Sequence, residues 1–150
     1  MPIVAIVGPL LLLAALVAAY VAFARWRDRK LDRIFAATRM PGARAHAKGM
    51  LCVFGLQCPA VASATDDELV IHSIFGNVRR IPLAHISLKQ EIPAGHCCFK
   101  PSYAINHNFW MNKHRFLLEC PEERLLALGL ADPAPWREIF QPRPTSGATP

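Results

Sequence analysis

The chain has 150 residues and a formal net charge of +6. That length holds one small domain beside an apolar N-terminus and a polar tail, and excludes two soluble domains. The charge is local: residues 25–48 carry eight Lys or Arg against Asp28 and Asp32, while residues 49–150 carry nine basic and nine acidic side chains. The high pI thus describes one short segment rather than a basic globular surface, which argues against a nucleic-acid partner.

Residues 1–24 read as a transmembrane helix. Ile3 to Ala24 is 22 residues without a charge. At about 1.5 Å per residue it spans roughly 33 Å, matching the hydrocarbon core. A buried helix of a soluble protein would show a polar face, and this run shows none. Gly8-Pro9 interrupts it near its start, where a membrane helix tolerates proline. A cleaved signal peptide is the rival reading, since Val21-Ala22-Phe23-Ala24 offers small residues for cleavage. Against it, no Lys or Arg precedes the apolar run, and the run exceeds the usual 7–15 residues. The basic cluster follows the helix, so the positive-inside rule predicts a single-pass inner-membrane protein with its N-terminus outside and its C-terminal domain cytoplasmic. Tyr20, Phe23 and Trp26 fall where an interfacial aromatic belt belongs.

Residues 25–49 read as a basic amphipathic helix and a linker. Leu31, Ile34, Phe35 and Thr38 form a stripe at helical spacing. Arg25, Arg27, Arg29, Lys30 and Arg33 lie mostly off it. They suit contact with anionic inner-leaflet lipid, each surface cation contributing about 1 kcal/mol. They equally suit the plain task of fixing topology. Pro41-Gly42 stops the helix, and residues 40–49 read as linker.

Residues 50–140 read as a small β-rich domain. Met50–Phe54, Val61–Ala64 and Leu69–Phe75 are predicted strands. Gly76-Asn77 supplies a turn. Val78–Leu83 alternates, with Pro82 placing it at an edge or strand end. Ile86–Ile92 alternates again. Residues 93–106 read mainly as loop, followed by strands at Phe109–Met111 and His114–Glu119. Pro121-Glu122-Glu123 carries helix-start chemistry, Leu125, Leu126 and Leu128 a buried face, and Gly129 a stop. Asp132-Pro133 starts a second short helix through Trp136 and Phe140. Residues 141–150 have the composition of a disordered tail.

The order is several antiparallel strands followed by helix. Asp67-Glu68-Leu69-Val70-Ile71, Phe75-Gly76-Asn77, Arg80-Ile81-Pro82-Leu83 and Ile86 together resemble the bacterial membrane-anchored pleckstrin-homology-like, or GRAM-like, domains. The resemblance covers residues 50–130 and rests on a short motif. It implies an α+β chain: one transmembrane helix, then a small antiparallel β-barrel or half-barrel closed by a C-terminal helix, with Pro-Glu-Glu-Arg-Leu-Leu in the closing helix. The loop after Ile92, with Cys97-Cys98, departs from a regular version.

No catalytic signature emerges. Cys52, Cys58, Cys97, Cys98 and Cys120 lack the paired spacing of a structural zinc site, so no metal or cofactor is expected. Cys52 and Cys120 read as small buried hydrophobes, and disulfides are not expected on the cytoplasmic side. His96 and Cys97 are neighbours, but adjacent side chains on a strand face opposite ways. No phosphate loop or carboxylate pair is present, so no enzyme is expected. Arg79, Arg80, Lys113 and Arg115 are the candidate ligand contacts, though exposed turns and edges are commonly charged without any ligand. The expected function is a membrane-tethered, non-catalytic module that binds a lipid head group or a protein partner. The alternative is a structural or regulatory subunit acting through its membrane helix, by way of Leu10–Leu13 and the Ala14-Ala15/Ala18-Ala19 steps.

Overall fold

The computed structural model describes residues 3–53, 56–95, 113–121 and 125–141. Its first element is one helix, α1 (Ile3–Ala37), 35 residues long with Pro9 inside it. At 1.5 Å per residue it measures about 52 Å. The sequence suggests a division between membrane helix and juxtamembrane helix after Ala24, but the structure has none there. Thr38 closes the last turn, its amide and its hydroxyl both donating to Ile34 O at 2.9 and 2.7 Å. Gly42, at φ +76°, then turns the chain.

Seven strands follow: β1 (Ala45–Val53), β2 (Leu56–Ala64), β3 (Glu68–Ser73), β4 (Val78–Pro82), β5 (Ser87–Ile92), β6 (His114–Glu119) and β7 (Leu126–Leu130). A 3-10 turn at Leu83–His85 links β4 to β5, and α2 (Ala134–Phe140) is the last element among the described residues. Every pairing is antiparallel, in the order β4-β3-β2-β1-β7-β6-β5. Two meanders, β1–β4 and β5–β7, are therefore joined through the β1–β7 ladder. The sheet curls into a half-barrel, and α2 closes it, as the α+β fold class expected.

Small residues line the inside of β1 and β2 (Ala45, Ala60, Ala62, Ala64), and larger ones face them: Leu69, Ile71, Phe116, Leu118, Leu126, Leu128 and Leu130. Trp136, Ile139 and Phe140 of α2 are buried among these. The Phe116 and Phe140 rings lie 5.3 Å apart, and those of Trp136 and Phe140 lie 5.8 Å apart, both tilted. Cys52 and Cys120 are buried, as small apolar side chains are.

Two boundaries need correction. The stretch read as linker to residue 49 contains the first half of β1, which begins at Ala45. The helix expected over 121–129 is, in its described part, strand β7, so the closing helix is α2 alone. The predicted strand at Phe109–Met111, most of the 93–106 loop and the 142–150 tail lie outside the described residues.

Candidate functional site

The most developed polar cluster outside the core joins α1 to the outer face of the sheet. Side chains alternate along a strand, so His46 and Lys48 of β1, Val61 and Ser63 of β2, and Val70 and His72 of β3 share that face. The register sets His46 opposite Ser63 and Ser63 opposite Val70, then Lys48 opposite Val61 and Val61 opposite His72. Val61, Ser63 and Val70 are fully buried although they face outward. The last turns of α1 provide the adjoining half-buried side chains, Leu31, Ile34, Phe35 and Thr38. The stripe read from the sequence thus packs on the domain itself.

Hydrogen bonds define this seam. Phe35 O can only accept, so His46 Nε2 donates to it, at 2.8 Å. In the neutral ring Nδ1 then accepts, and Ser63 Oγ stands 2.6 Å from it. Ser63 Oγ also lies 3.5 Å from Thr38 O. The Phe35 and His46 rings stack at 4.2 Å. Lys48 pairs with Asp32 and sits 5.0 Å from the Phe35 ring centroid. Beside the seam, burial pushes His72 below its ordinary pKa, and the nearby Arg80 and His46 act in the same direction.

The basic cluster lies on the exposed part of α1 between the apolar run and this seam. Arg25, Arg29 and Arg33 are exposed. Arg27 pairs with Asp28 at 2.8 Å, and Lys30 sits 5.1 Å from the Trp26 ring centroid. Tyr20, Phe23 and Trp26 are exposed, with the Phe23 and Trp26 rings 5.6 Å apart. In the structure this segment continues the apolar run as one helix, α1, so the juxtamembrane helix is not a separate element.

The four predicted ligand contacts do not form one patch. Arg79 and Arg80 lie on edge strand β4 and face opposite ways. Arg80 pairs outward with Glu68 at 2.9 Å. Both border a cleft of about 220 Å³ with His85, Cys120 and Pro121. Burial raises the pKa of nearby Cys58, and the charge of Arg79 partly offsets that. Lys113 and Arg115 belong to the other end of β6. Arg115 is buried opposite Gly129 of β7. Five residues of strand, about 17 Å, separate Arg115 from Cys120 at the cleft.

A second cleft, of about 500 Å³, opens where the end of α2 meets the β2–β3 turn and the β4–β5 link, lined by Asp66, Asp67, Leu83, Ile86, Leu88 and Phe140 among others. Elsewhere on β5, Glu91 Oε1 accepts from Arg137 Nε of α2 at 2.6 Å and also pairs with His114. Burial tends to raise the Glu91 pKa, but the bonds and charges of Arg137 and His114 outweigh it and hold the carboxyl below its ordinary value. Among the described residues, no three His, Cys, Asp or Glu side chains form a group that could hold a metal ion.

The site missed by sequence reading is the seam. Its signal was there: Ala45-His46-Ala47-Lys48 alternates small apolar and polar residues with the period of a strand. The fold and the seam define a half-barrel domain fixed to the end of a helix long and apolar enough to cross a membrane. Comparison with protein-family models, curated proteins and solved structures gave no match.

Proposed function

We propose that this chain is a membrane-tethered, non-catalytic binding module of the pleckstrin-homology-like kind, held at the cytoplasmic face of a bacterial inner membrane, where it recognises a lipid head group or a protein partner. The observation that carries the reading is the unbroken α1, which runs from the apolar segment into the His46–Phe35 contact. A rigid tether of this kind fixes the height of the domain above the bilayer and raises its local concentration there, so weak recognition suffices. The cluster Arg25–Arg33 behind the apolar run supports the cytoplasmic orientation. The half-barrel with its terminal helix supports the family resemblance, although the helix lies later in the chain than the motif implies.

The favoured position for a soluble or protein ligand is the cleft beside Arg79 and His85. Arg80 shares its register row with Val70, Ser63 and His46, the row that meets Thr38. Thr38 is 14 residues beyond Ala24, about 21 Å along the helix. The head-group layer is only about 5–7 Å deep, so Arg79 and Arg80 stand clear of it.

The alternative is a subunit that acts through its helix, favoured by the exposure of Leu10–Leu13, Leu16 and Val17. Site-specific photocrosslinking separates the two. A photoreactive side chain would replace either His85 or Val78 on the domain, or Leu13 or Val17 on the helix, in the full chain in its native membrane. Discrete adducts from the domain positions are expected. Adducts from the helix positions alone would overturn the binding-module reading in favour of the subunit.

A further inference from the structure

The way α1 meets the sheet determines which loops face the bilayer. Moving from Thr38 back to Asp32 along α1 means moving from the row of His46, Ser63 and Val70 to the row of Lys48, Val61 and His72. The next step in that direction leads off the end of β3 into the turn Ile74-Phe75-Gly76-Asn77. A notch of about 300 Å³ confirms the neighbourhood: Arg33, Ile34, Ala37 and Thr38 of α1 line it together with His72, Gly76, Asn77 and Val78. The β3–β4 turn therefore lies beside the C-terminal part of α1, on the side from which the apolar run approaches.

Its height follows from helix and strand rise. Asp32 is eight residues past Ala24, about 12 Å along the axis. Phe75 lies two to three residues beyond the His72 row, up to about 7 Å nearer the apolar run. That brings its backbone to about 5 Å beyond Ala24, within the head-group layer.

The turn is built to present its apolar side chain. Gly76, at φ +92°, tightens it, and backbone bonds hold it, with Gly76 N donating to Ser73 O at 3.0 Å and Ile74 N to Pro59 O at 2.9 Å. Ile74 is buried, yet its neighbour Phe75 is 67% exposed and Val78 is 52% exposed. A large aromatic side chain on a rigid turn loses apolar contact with nothing when it enters an interface, and gains burial. The adjoining face of α1 carries exposed Arg29 and Arg33, so the surroundings are cationic.

We infer that the β3–β4 turn, led by Phe75, is a second membrane contact, inserting into the head-group layer of an anionic bilayer beside Arg29 and Arg33. The inference rests on the reading that α1 crosses that bilayer. Together the helix and the turn make two-point attachment, which fixes the rotation of the half-barrel about α1 and points the cleft beside Arg79 away from the lipid.

The test uses the full chain in phosphatidylcholine vesicles, with and without phosphatidylglycerol. Phe75→Trp adds an indole whose emission is obtained by difference from the parent chain. The expected result is a blue-shifted component, quenched by lipids brominated high on their acyl chains and shielded from acrylamide, with a larger shift when phosphatidylglycerol is present. Arg29→Gln with Arg33→Gln should remove that lipid dependence. An indole with the emission of a water-exposed residue, quenched freely by acrylamide in both lipids, would overturn the inference. An indole buried equally in both lipids would overturn its anionic part. Alkaline extraction of the same vesicles separates the levels: a chain that stays in the pellet with an exposed indole refutes the turn contact alone, and a chain that is extracted refutes the tether as well.

Discussion

His46 Nε2 donates to the carbonyl of Phe35 at 2.8 Å, and this bond ties the last full turn of α1 to the first strand of the domain. Carbonyls at a helix C-terminus have no partner within the helix, so an outside donor both satisfies one and fixes the helix direction. A ring stacked on Phe35 and a hydroxyl on the other imidazole nitrogen hold His46 in place. The seam is therefore where the long apolar helix becomes part of a folded domain.

Replacing His46 with Ala removes two hydrogen bonds and the stack. At about 1 kcal/mol per net bond, the local cost is about 2 kcal/mol. Opening of the α1 end should become about 10- to 30-fold more frequent. Hydrogen exchange on the full chain in nanodiscs should show faster amide exchange at residues 35–38, with β6 and β7 unchanged. Equal acceleration throughout the sheet would mean that the seam supports the whole fold rather than the tether.

Gly49 joins the two meanders. An added Cβ there would stand 2.5 Å from Gly129 O and 2.9 Å from Leu130 Cδ2. The first neighbour is backbone and cannot step aside cheaply. Gly49→Ala should therefore cost about 1–3 kcal/mol, as overpacking does. Thermal unfolding of the full chain in nanodiscs would show it as a clear drop in Tm.

Trp136 is 1% exposed and is the largest fully buried side chain among the described residues. Trp136→Ala should cost about 3–5 kcal/mol. Because α2 closes the barrel, exchange should rise first in β5 and β6. A neutral outcome would mean that α2 is not the closing element.

Glu91 gives the fold a defined acid limit. Its folded pKa lies below the ordinary 4.5, because the bonds from Arg137 and His114 outweigh the effect of burial. The unfolded chain then takes up the proton first as pH falls. The contribution of Glu91 is complete above pH 4.5 and is lost as pH drops through the folded pKa. Glu91→Gln should be less stable than wild type at neutral pH, and the difference should shrink below pH 4.5. A difference that stays constant with pH in chemical unfolding would contradict this assignment.

Much of the sheet was legible because its strands alternate. Val78–Pro82 has one face toward the core and one toward water, and the period of two is visible, whereas in Ser87–Ile92 a register shift between Leu88 and Gln90 breaks the alternation. β7 was misread for the opposite reason. All five of its residues are buried, so Leu126–Leu130 has no polar alternation to betray a strand. Pro121 and two glutamates ahead of it carry the chemistry of a helix start. Gly129 looked like a helix stop, whereas its carbonyl packs against Gly49, the close approach that glycine permits in a strand. The candidate site was legible only in part. The stripe Leu31-Ile34-Phe35-Thr38 was visible, but a stripe does not name its partner, and lipid and sheet are both apolar. Charged residues are usually exposed, and only the β6–β7 packing shows Arg115 buried.

On the proposed reading, α1 holds the half-barrel rigidly at a fixed height above the bilayer. The most direct test is the distance between two nitroxides, one at Arg29 of α1 and one at Lys89 of β5, carried on encoded ketone side chains in the full chain in nanodiscs and read by pulsed electron resonance. A single narrow distribution is the predicted result, broadened by His46→Ala. A broad distribution in the parent chain, unchanged by that substitution, would mean a hinge between membrane helix and domain and would contradict the account.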